Sequence, residues 1–241
     1  LEGIDLVLSL YLRENDLATA KLSFHSRRVS KLSHVMPKVI DITSDIEPDR
    51  VRVETFIKTV FRDAYQADIQ IHYPYLISVS NEAGEILAAA GFRYAQYHAL
   101  FLEQYTASPI EQELSALYGK AVQRQAIVEI GSLASHGTGA AVFLFAALAS
   151  YLAFKQIQYT VITGTQDLQR HLQLLGLQPH KICDADPARL QYQRDNWGGY
   201  YATQPRVLAG SVQQGVESLQ RTLGSVYEEQ LPLRFHRGAL S

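Results

Sequence analysis

This sequence predicts an α/β fold, a mixed β-sheet flanked by helices, on three observations. Residues 125–179 read strand, glycine turn, helix, strand, helix, the order of a ligand-binding βαβ unit. The helix inside that unit, Ala140 to Lys155, is almost wholly apolar, so it belongs in a core against a sheet. Two extended runs, Tyr75 to Ser80 and Glu85 to Tyr94, flank Asn81-Glu-Ala-Gly84 and read as a β-hairpin.

The remaining elements follow in chain order. Residues 1–50 are the least regular. Asp5 to Asn15 fits a short helix or a strand, and Val35 to Thr43 fits a strand. Val51 to Tyr65 places Val53, Phe56, Ile57, Val60 and Phe61 at helical spacing. Ala99 to Tyr105 reads as a short extended piece. Ser108 as N-cap, Pro109 at the first helical position and Gly119 as stop define a helix through Tyr118. Ile127 to Ala134 is the first strand of the βαβ unit, and Ser135-His-Gly-Thr-Gly139 is its turn. Gln158 to Thr165 is the second strand, followed by a helix from Gln166 to Leu175 that Gly176 closes. A looser stretch holds Pro179, Pro187, Pro205 and the aromatic cluster Trp197-Gly-Gly-Tyr-Tyr201. Arg206 to Val212 reads as a final strand and Val216 to Leu231 as a C-terminal helix. The organisation expected is an N-terminal extension (1–50) packed on the core, a main domain (51–212) and a C-terminal helical extension (213–241).

Composition narrows the class. The chain has 241 residues, 47% hydrophobic and 19% charged, as expected of a globular protein. A formal net charge of −2 gives no electrostatic footprint for nucleic acid. Cys183 is the only cysteine, which excludes an intrachain disulfide framework and a cysteine-based zinc site. His25, His34 and His72 lack metal-ligand spacing, and no metal is expected. There is no apolar run of the ~18 residues that a membrane-spanning helix needs. Glu2 and Asp5 stand where a secretory signal carries positive charge. The expectation is a cytoplasmic protein with at most peripheral membrane contact.

Two carboxylates stand out. Side chains alternate along a strand, so Glu129, Gly131 and Leu133 are expected on one face of Ile127 to Ala134. Phe101, Glu103 and Tyr105 share a face in the same way. A carboxylate among apolar neighbours has its pKa raised toward the range of a useful base. The structural alternative is that each glutamate pairs with a buried arginine such as Arg93 or caps a backbone group. In the turn, Gly137 and Gly139 allow close backbone approach to a phosphate or pantetheine, and Ser135 and Thr138 suit a helix cap. Thr163 and Thr165 share a face and can line a cleft. Trp197, Tyr200 and Tyr201 can wall a pocket, since aromatics supply area with a polar tip. The basic run Arg27 to Lys38 is either a solvated face or a surface for an acidic carrier or an anionic lipid. No Gly-x-Ser-x-Gly elbow, phosphate-binding Walker loop or His-Glu-x-x-His is present.

The element order is that of an acetyltransferase-type (GNAT) fold, whose splayed central strands admit an acyl thioester. Specific words sharpen this. Ala64-Tyr65, His72-Tyr-Pro-Tyr-Leu76, Phe101-Leu-Glu-Gln-Tyr105, Val128-Glu-Ile-Gly-Ser-Leu-Ala134 and Trp197-Gly-Gly-Tyr-Tyr201 occur in that order. Together they resemble the bacterial thermostable hemolysin family, across roughly Val51 to Val212. That family is similar in outline to acyl-homoserine-lactone synthases and N-acyl amino acid synthases. The resemblance implies transfer of a long acyl chain from a carrier thioester to a small amine by direct attack. Glu129 and Glu103 would be catalytic, and Leu133, Ala134, Ser135, Gly137, Thr138 and Gly139 would hold the phosphopantetheine. Thr163, Thr165, Trp197, Tyr200 and Tyr201 would bind substrate. Two positions depart from the pattern. Ser132 stands where the family more often has Asn. Ala134 occupies the Arg/Gln position of the usual coenzyme A motif, which favours acyl carrier protein over acyl-coenzyme A as donor. The rival readings are a membrane-damaging protein acting through Val216 to Leu231, and a non-catalytic acyl-binding module.

Overall fold

Ten strands, the central ones buried on both faces, form one mixed sheet in a computed structural model that describes residues 7–14, 16–137, 139–190 and 196–230. The strands are β1 (Val7–Glu14), β2 (Leu17–His25), β3 (Val39–Thr43), β4 (Tyr75–Ser80) and β5 (Ile86–Tyr94). They continue with β6 (Ile127–Ser135), β7 (Tyr159–Gly164), β8 (His180–Asp184), β9 (Arg206–Ser211) and β10 (Val226–Glu229). Their order is β10-β2-β1-β3-β4-β5-β6-β7-β9-β8. Only β1–β3 and β6–β7 pair in parallel; the other neighbours are antiparallel.

The helices are α1 (Ser26–Val29), α2 (Arg50–Tyr65), α3 (Ile110–Tyr118), α4 (Ala141–Phe154), α5 (Gln166–Leu174) and α6 (Val212–Leu223). Helix α4 is apolar all round because it is covered all round. Phe143, Leu144 and Leu148 pack into a cluster with Leu10, Leu22, Ile40 and Phe92 on one face of the sheet, and α6 seals the helix from outside through Leu219 and Leu223. Helix α2 covers the opposite face. Its Val53, Ile57 and Phe61 recur every four residues and bury against Leu76, Ala89 and Ala134. Each such side chain contributes about 1.5–3 kcal/mol by leaving water.

The βαβ unit matches the expectation, and four features outside it differ. Ala99 to Tyr105 is not extended: Phe101–Gln104 form a 3₁₀ turn, which aims backbone N–H groups at a buried carboxylate. Val216 to Leu231 is not one helix. Helix α6 starts four residues earlier, stops at Gly224 in the left-handed region, and gives way to β10, which pairs with β2. Strands β2 and β8 were not anticipated: β2 folds back on β1 as a hairpin, with Glu14 opposite Leu17, and β8 pairs with β9 across the intervening loop. Helix α3 begins at Ile110 with no side-chain cap from Ser108, and Gly119 ends it as expected with φ +65°.

The segment after residue 195 is docked on α2. Asn196 bridges Asp68, and the Gly199 N–H donates to the Tyr65 carbonyl at 2.7 Å. Gly198 has φ +48°, and a Cβ there would overlap that carbonyl and stand 2.7 Å from the Gln66 oxygen. A methyl at Gly198 therefore meets both backbone strain and a clash. Gly198→Ala should cost about 2 kcal/mol or more and lower the melting temperature by several degrees, read by circular dichroism.

Candidate active site

The centre of the molecule is a notch in the sheet. Strands β6 and β7 pair from Ile127–Tyr159 to Ile130–Ile162 and then part. Beyond that point β6 stays with β5 while Thr163 and Gly164 stay with β9. A β-bulge drives the opening. Between Gly131 and Ala134, β6 carries one residue more than β5 does between Gly91 and Ala89. The bulge puts Ser132 at φ +49°, in the left-handed region. Asparagine tolerates that region better than serine does, so serine carries the greater strain here. The bulge also breaks the strict alternation expected of this strand: Gly131 and Ser132 line one chamber, and Ser132 and Leu133 line the next.

The outer cleft has a volume of about 490 Å³. Ser132, Leu133, Ser135, Gly137 and Gly139 form one wall, and Thr163, Gly164 and Thr165 form the other. Ala141 and Val142, in the first turn of α4, and Lys31 complete its rim. A helix N-terminus at a cleft favours an anion. Gly139 has φ +80°, and a Cβ there would stand 2.7 Å from Ser33 Cα; this glycine fits the turn against the 32–33 backbone rather than leaving room for a ligand. Gly137, with φ +72°, faces open space. Ala134 lines neither chamber and is buried beneath α2. Thr138 lies outside the described residues. The Thr165 hydroxyl is spent capping α5 through the Leu168 N–H, so only Thr163 offers a free group to the cleft. Its Oγ1 is buried without a hydrogen-bond partner among the described residues.

A smaller inner chamber of about 50 Å³ opens behind Ser132 and Thr163. Trp197, Tyr200, Tyr201, Phe101 and Tyr105 form its aromatic wall, and Arg93, Gln70 and His72 its polar side. The Trp197 ring lies 5.8 Å from Phe101 and 5.4 Å from Tyr200, and Tyr105 and Tyr201 share a 2.5 Å hydroxyl contact. Tyr73, which the sequence reading did not single out, forms the chamber's floor. The signal for it was two glycines, Gly91 and Gly131, inside otherwise apolar strands, which marks the close approach of another group.

Glu129 sits directly behind this floor and is 1% exposed. Its oxygens accept from the Phe101 and Leu102 N–H groups, each at 2.9 Å, and Arg93 Nε stands 3.4 Å away. Arg93 is its direct cross-strand neighbour. Burial pushes the carboxyl up to about 7, although Arg93 and both N–H groups pull the other way. Glu103 is unlike it. The turn directs its carboxylate away from the chamber, where Arg124 clasps both oxygens at 2.7 Å and the Leu100 and Ile110 N–H groups donate to it. Burial alone would lift the Glu103 carboxyl, but these hydrogen bonds outweigh it and hold the group below its ordinary value. The structure thus brings Glu129, Thr163, Trp197, Tyr200 and Tyr201 together at the notch and sets Glu103 apart, as an anchor for the turn that serves Glu129.

A notched mixed sheet, with an apolar helix leaving the notch through a glycine turn, defines the acetyltransferase (GNAT) fold class. Within it, the chain belongs to the thermostable hemolysin family, whose model matches residues 43–216. Solved structures with the same fold include the AHL synthase LasI, at 14% identity and TM-score 0.52, covering 76% of this chain and 95% of that one. FeeM, an N-acyl amino acid synthase from uncultured soil microbes, matches at 15% identity and TM-score 0.50, covering 73% and 98%. BjaI, a CoA-dependent acyl-homoserine lactone synthase solved with SAM and isopentyl-CoA, matches at 9% identity and TM-score 0.51, covering 76% and 87%. At these identities the likeness is one of fold. A search of curated proteins finds no match.

Two measurements test the site. Glu129 binds its proton more tightly folded than unfolded, so its contribution to stability falls as pH rises from the unfolded value of 4.5 through about 7. The loss is about 3 kcal/mol at most. Thermal melts from pH 5 to 8 should show this downward slope, and Glu129→Gln should flatten it. Ser132→Asn should relieve left-handed strain and raise stability by up to about 1 kcal/mol, read as a higher melting temperature.

Proposed function

We propose that the protein is an N-acyltransferase that moves a long-chain acyl group from a carrier thioester to a small amine by direct attack. The observation that carries this reading is an open notch between parallel strands with a buried carboxylate, Glu129, directly behind the floor of its inner chamber. Attack of an amine on a thioester requires a group that takes up a proton, and a base with a pKa near working pH is the efficient choice. Glu129 fills that role; Glu103, fixed by Arg124, holds the turn that binds it.

The outer cleft fits an extended pantetheine arm. Its edges are the unpaired ends of β6 and β7, whose backbone groups can bond amides, and the free Thr163 hydroxyl adds one partner. A backbone N–H of the bulge would polarise the thioester carbonyl. Phe145 lines both this cleft and an open pocket of about 450 Å³ between α4, α5 and α6, where Leu148, Leu152, Ile162 and Leu172 form an apolar floor and Gln214, Glu217 and Arg221 a polar rim. That pocket suits the acyl tail. The inner chamber suits a small acceptor. The relatives in fold include synthases that, by their descriptions, make N-acyl products.

An acyl carrier protein is the proposed donor carrier. Ala134 offers no cation for the coenzyme A pyrophosphate, and the exposed basic segment with Arg27 and Lys31 borders the cleft, where an acidic protein can dock. No observation favours direct membrane damage. The apolar residues of α6 are buried against α4, and no helix among the described residues is long and apolar enough to cross a membrane.

Mass spectrometry of lipid extracts tests the reading. Cells expressing the protein should accumulate N-acyl amines, and Glu129→Gln should lower them about 10²-fold or more. Extracts identical with and without the wild-type protein would refute it. With matched hexadecanoyl chains, kcat/KM should be higher on carrier protein than on coenzyme A. The reverse order would discard the carrier-protein assignment alone.

A further inference from the structure

Resting on the acyltransferase reading, we propose that Tyr73 is the group that touches the acceptor amine and relays its proton to Glu129. Glu129 lines neither the outer cleft nor the inner chamber, and both its oxygens are covered by the Phe101 and Leu102 N–H groups. A proton can reach it only through a neighbour. Arg93 has no lone pair with which to accept one. Tyr73 does: its hydroxyl lies over Gly131, two residues along the strand from Glu129, its ring stacks under the Arg93 guanidinium that stands 3.4 Å from Glu129, and the residue lines the chamber. A phenol is donor and acceptor at once, so it can pass a proton without becoming charged.

The fold builds a seat for this ring. Gly91 and Gly131 are direct cross-strand partners, and the tyrosine lies across both. A Cβ at Gly91 would stand 2.5 Å from Tyr73 Cγ, and one at Gly131 would overlap the hydroxyl. The Arg93 guanidinium stacks 4.7 Å from the ring centre. The backbone is pinned on both sides of the side chain: Arg93 donates to the His72 carbonyl at 2.7 Å, and Arg50 to the Tyr73 carbonyl at 2.6 Å. Such positioning exceeds what a core tyrosine needs.

The step balances. The amine nitrogen forms its bond to the thioester carbon and releases one proton to the Tyr73 oxygen. The phenol's own proton moves to Glu129, leaving Tyr73 neutral and Glu129 a carboxylic acid. The carbon–sulfur bond breaks, and the thiolate takes the proton back along the same path. The products are an amide and a free thiol. Burial and the adjacent Glu129 charge hold the Tyr73 phenol well above its ordinary value, so concerted relay is favoured over a standing phenolate. The groups facing this pair are Arg93 from β5, Glu103 from the 101–104 turn, and Tyr200 from the docked loop.

Tyr73→Phe keeps the ring in its glycine seat and removes the relay. With hexadecanoyl-carrier protein and an equimolar pool of L-amino acids, kcat should fall about 10²-fold or more, with donor KM nearly unchanged. The wild-type rise of kcat through about pH 7 should disappear. Independently of turnover, carbon-13 NMR of labelled glutamate should show the Glu129 midpoint move up by about one unit, because the relay's hydrogen bond to the charged form is lost. If Tyr73→Phe does not fold, 3-fluorotyrosine at position 73 should instead lower that midpoint, since a more acidic phenol donates more strongly. Wild-type kcat with an intact pH limb, or an unmoved Glu129 midpoint, overturns the relay. Wild-type protein inert on this pool counts against the acyltransferase reading, and the NMR titration still decides the Tyr73–Glu129 coupling.

Discussion

The burial of one carboxylate in the middle of the sheet organises the rest of the site. A charge taken out of water destabilises the fold unless donors surround it. Glu129 recruits them from two elements: strand β5 supplies Arg93, and the 101–104 turn supplies two N–H groups. These contacts compensate the charge only in part, which is why the group is held near neutrality rather than at an ordinary carboxylate value. Glu103 is better compensated: its partners hold its carboxyl below the ordinary value although burial alone would raise it. The contrast between the two acids comes first from burial, complete at Glu129 and partial at Glu103, and then from the number and closeness of their donors.

The second constraint is geometric. A parallel pair such as β6–β7 would normally continue its ladder, and the extra residue at the bulge prevents that. Left-handed strain at Ser132 is the local cost of opening the notch. The glycines near it are of two kinds. Gly91 and Gly131 make room for an aromatic ring laid across the sheet, whereas Gly139 and Gly198 let separate backbone segments approach each other. Both kinds serve the site, but only the first shapes the chamber itself.

Helix α2 ties these parts together. Its buried face packs on β4–β6, its first residue Arg50 holds the Tyr73 backbone, and its C-terminal Tyr65 receives the docked aromatic loop. Chamber floor and chamber wall therefore depend on one helix, although they lie more than a hundred residues apart in the chain.

The sequence by itself determined the βαβ unit, the apolar core helix, the hairpin and the placing of Glu129 among apolar neighbours, because periodicity and glycine turns are local signals. The aromatic cluster at Trp197 was legible for the same reason. It also carried the family words, which place the chain in its family. Tertiary structure alone decided the fate of Glu103. Its strand-like pattern yielded to a turn because the gain from presenting N–H groups to Glu129 is non-local. The same holds for strand β10, whose hydrogen bonds go to a remote partner, and for Tyr73, which looks like any core tyrosine until two distant glycines are brought side by side beneath it. Pairing and close approach between remote segments leave no periodic trace in the chain, so only the folded arrangement discloses them.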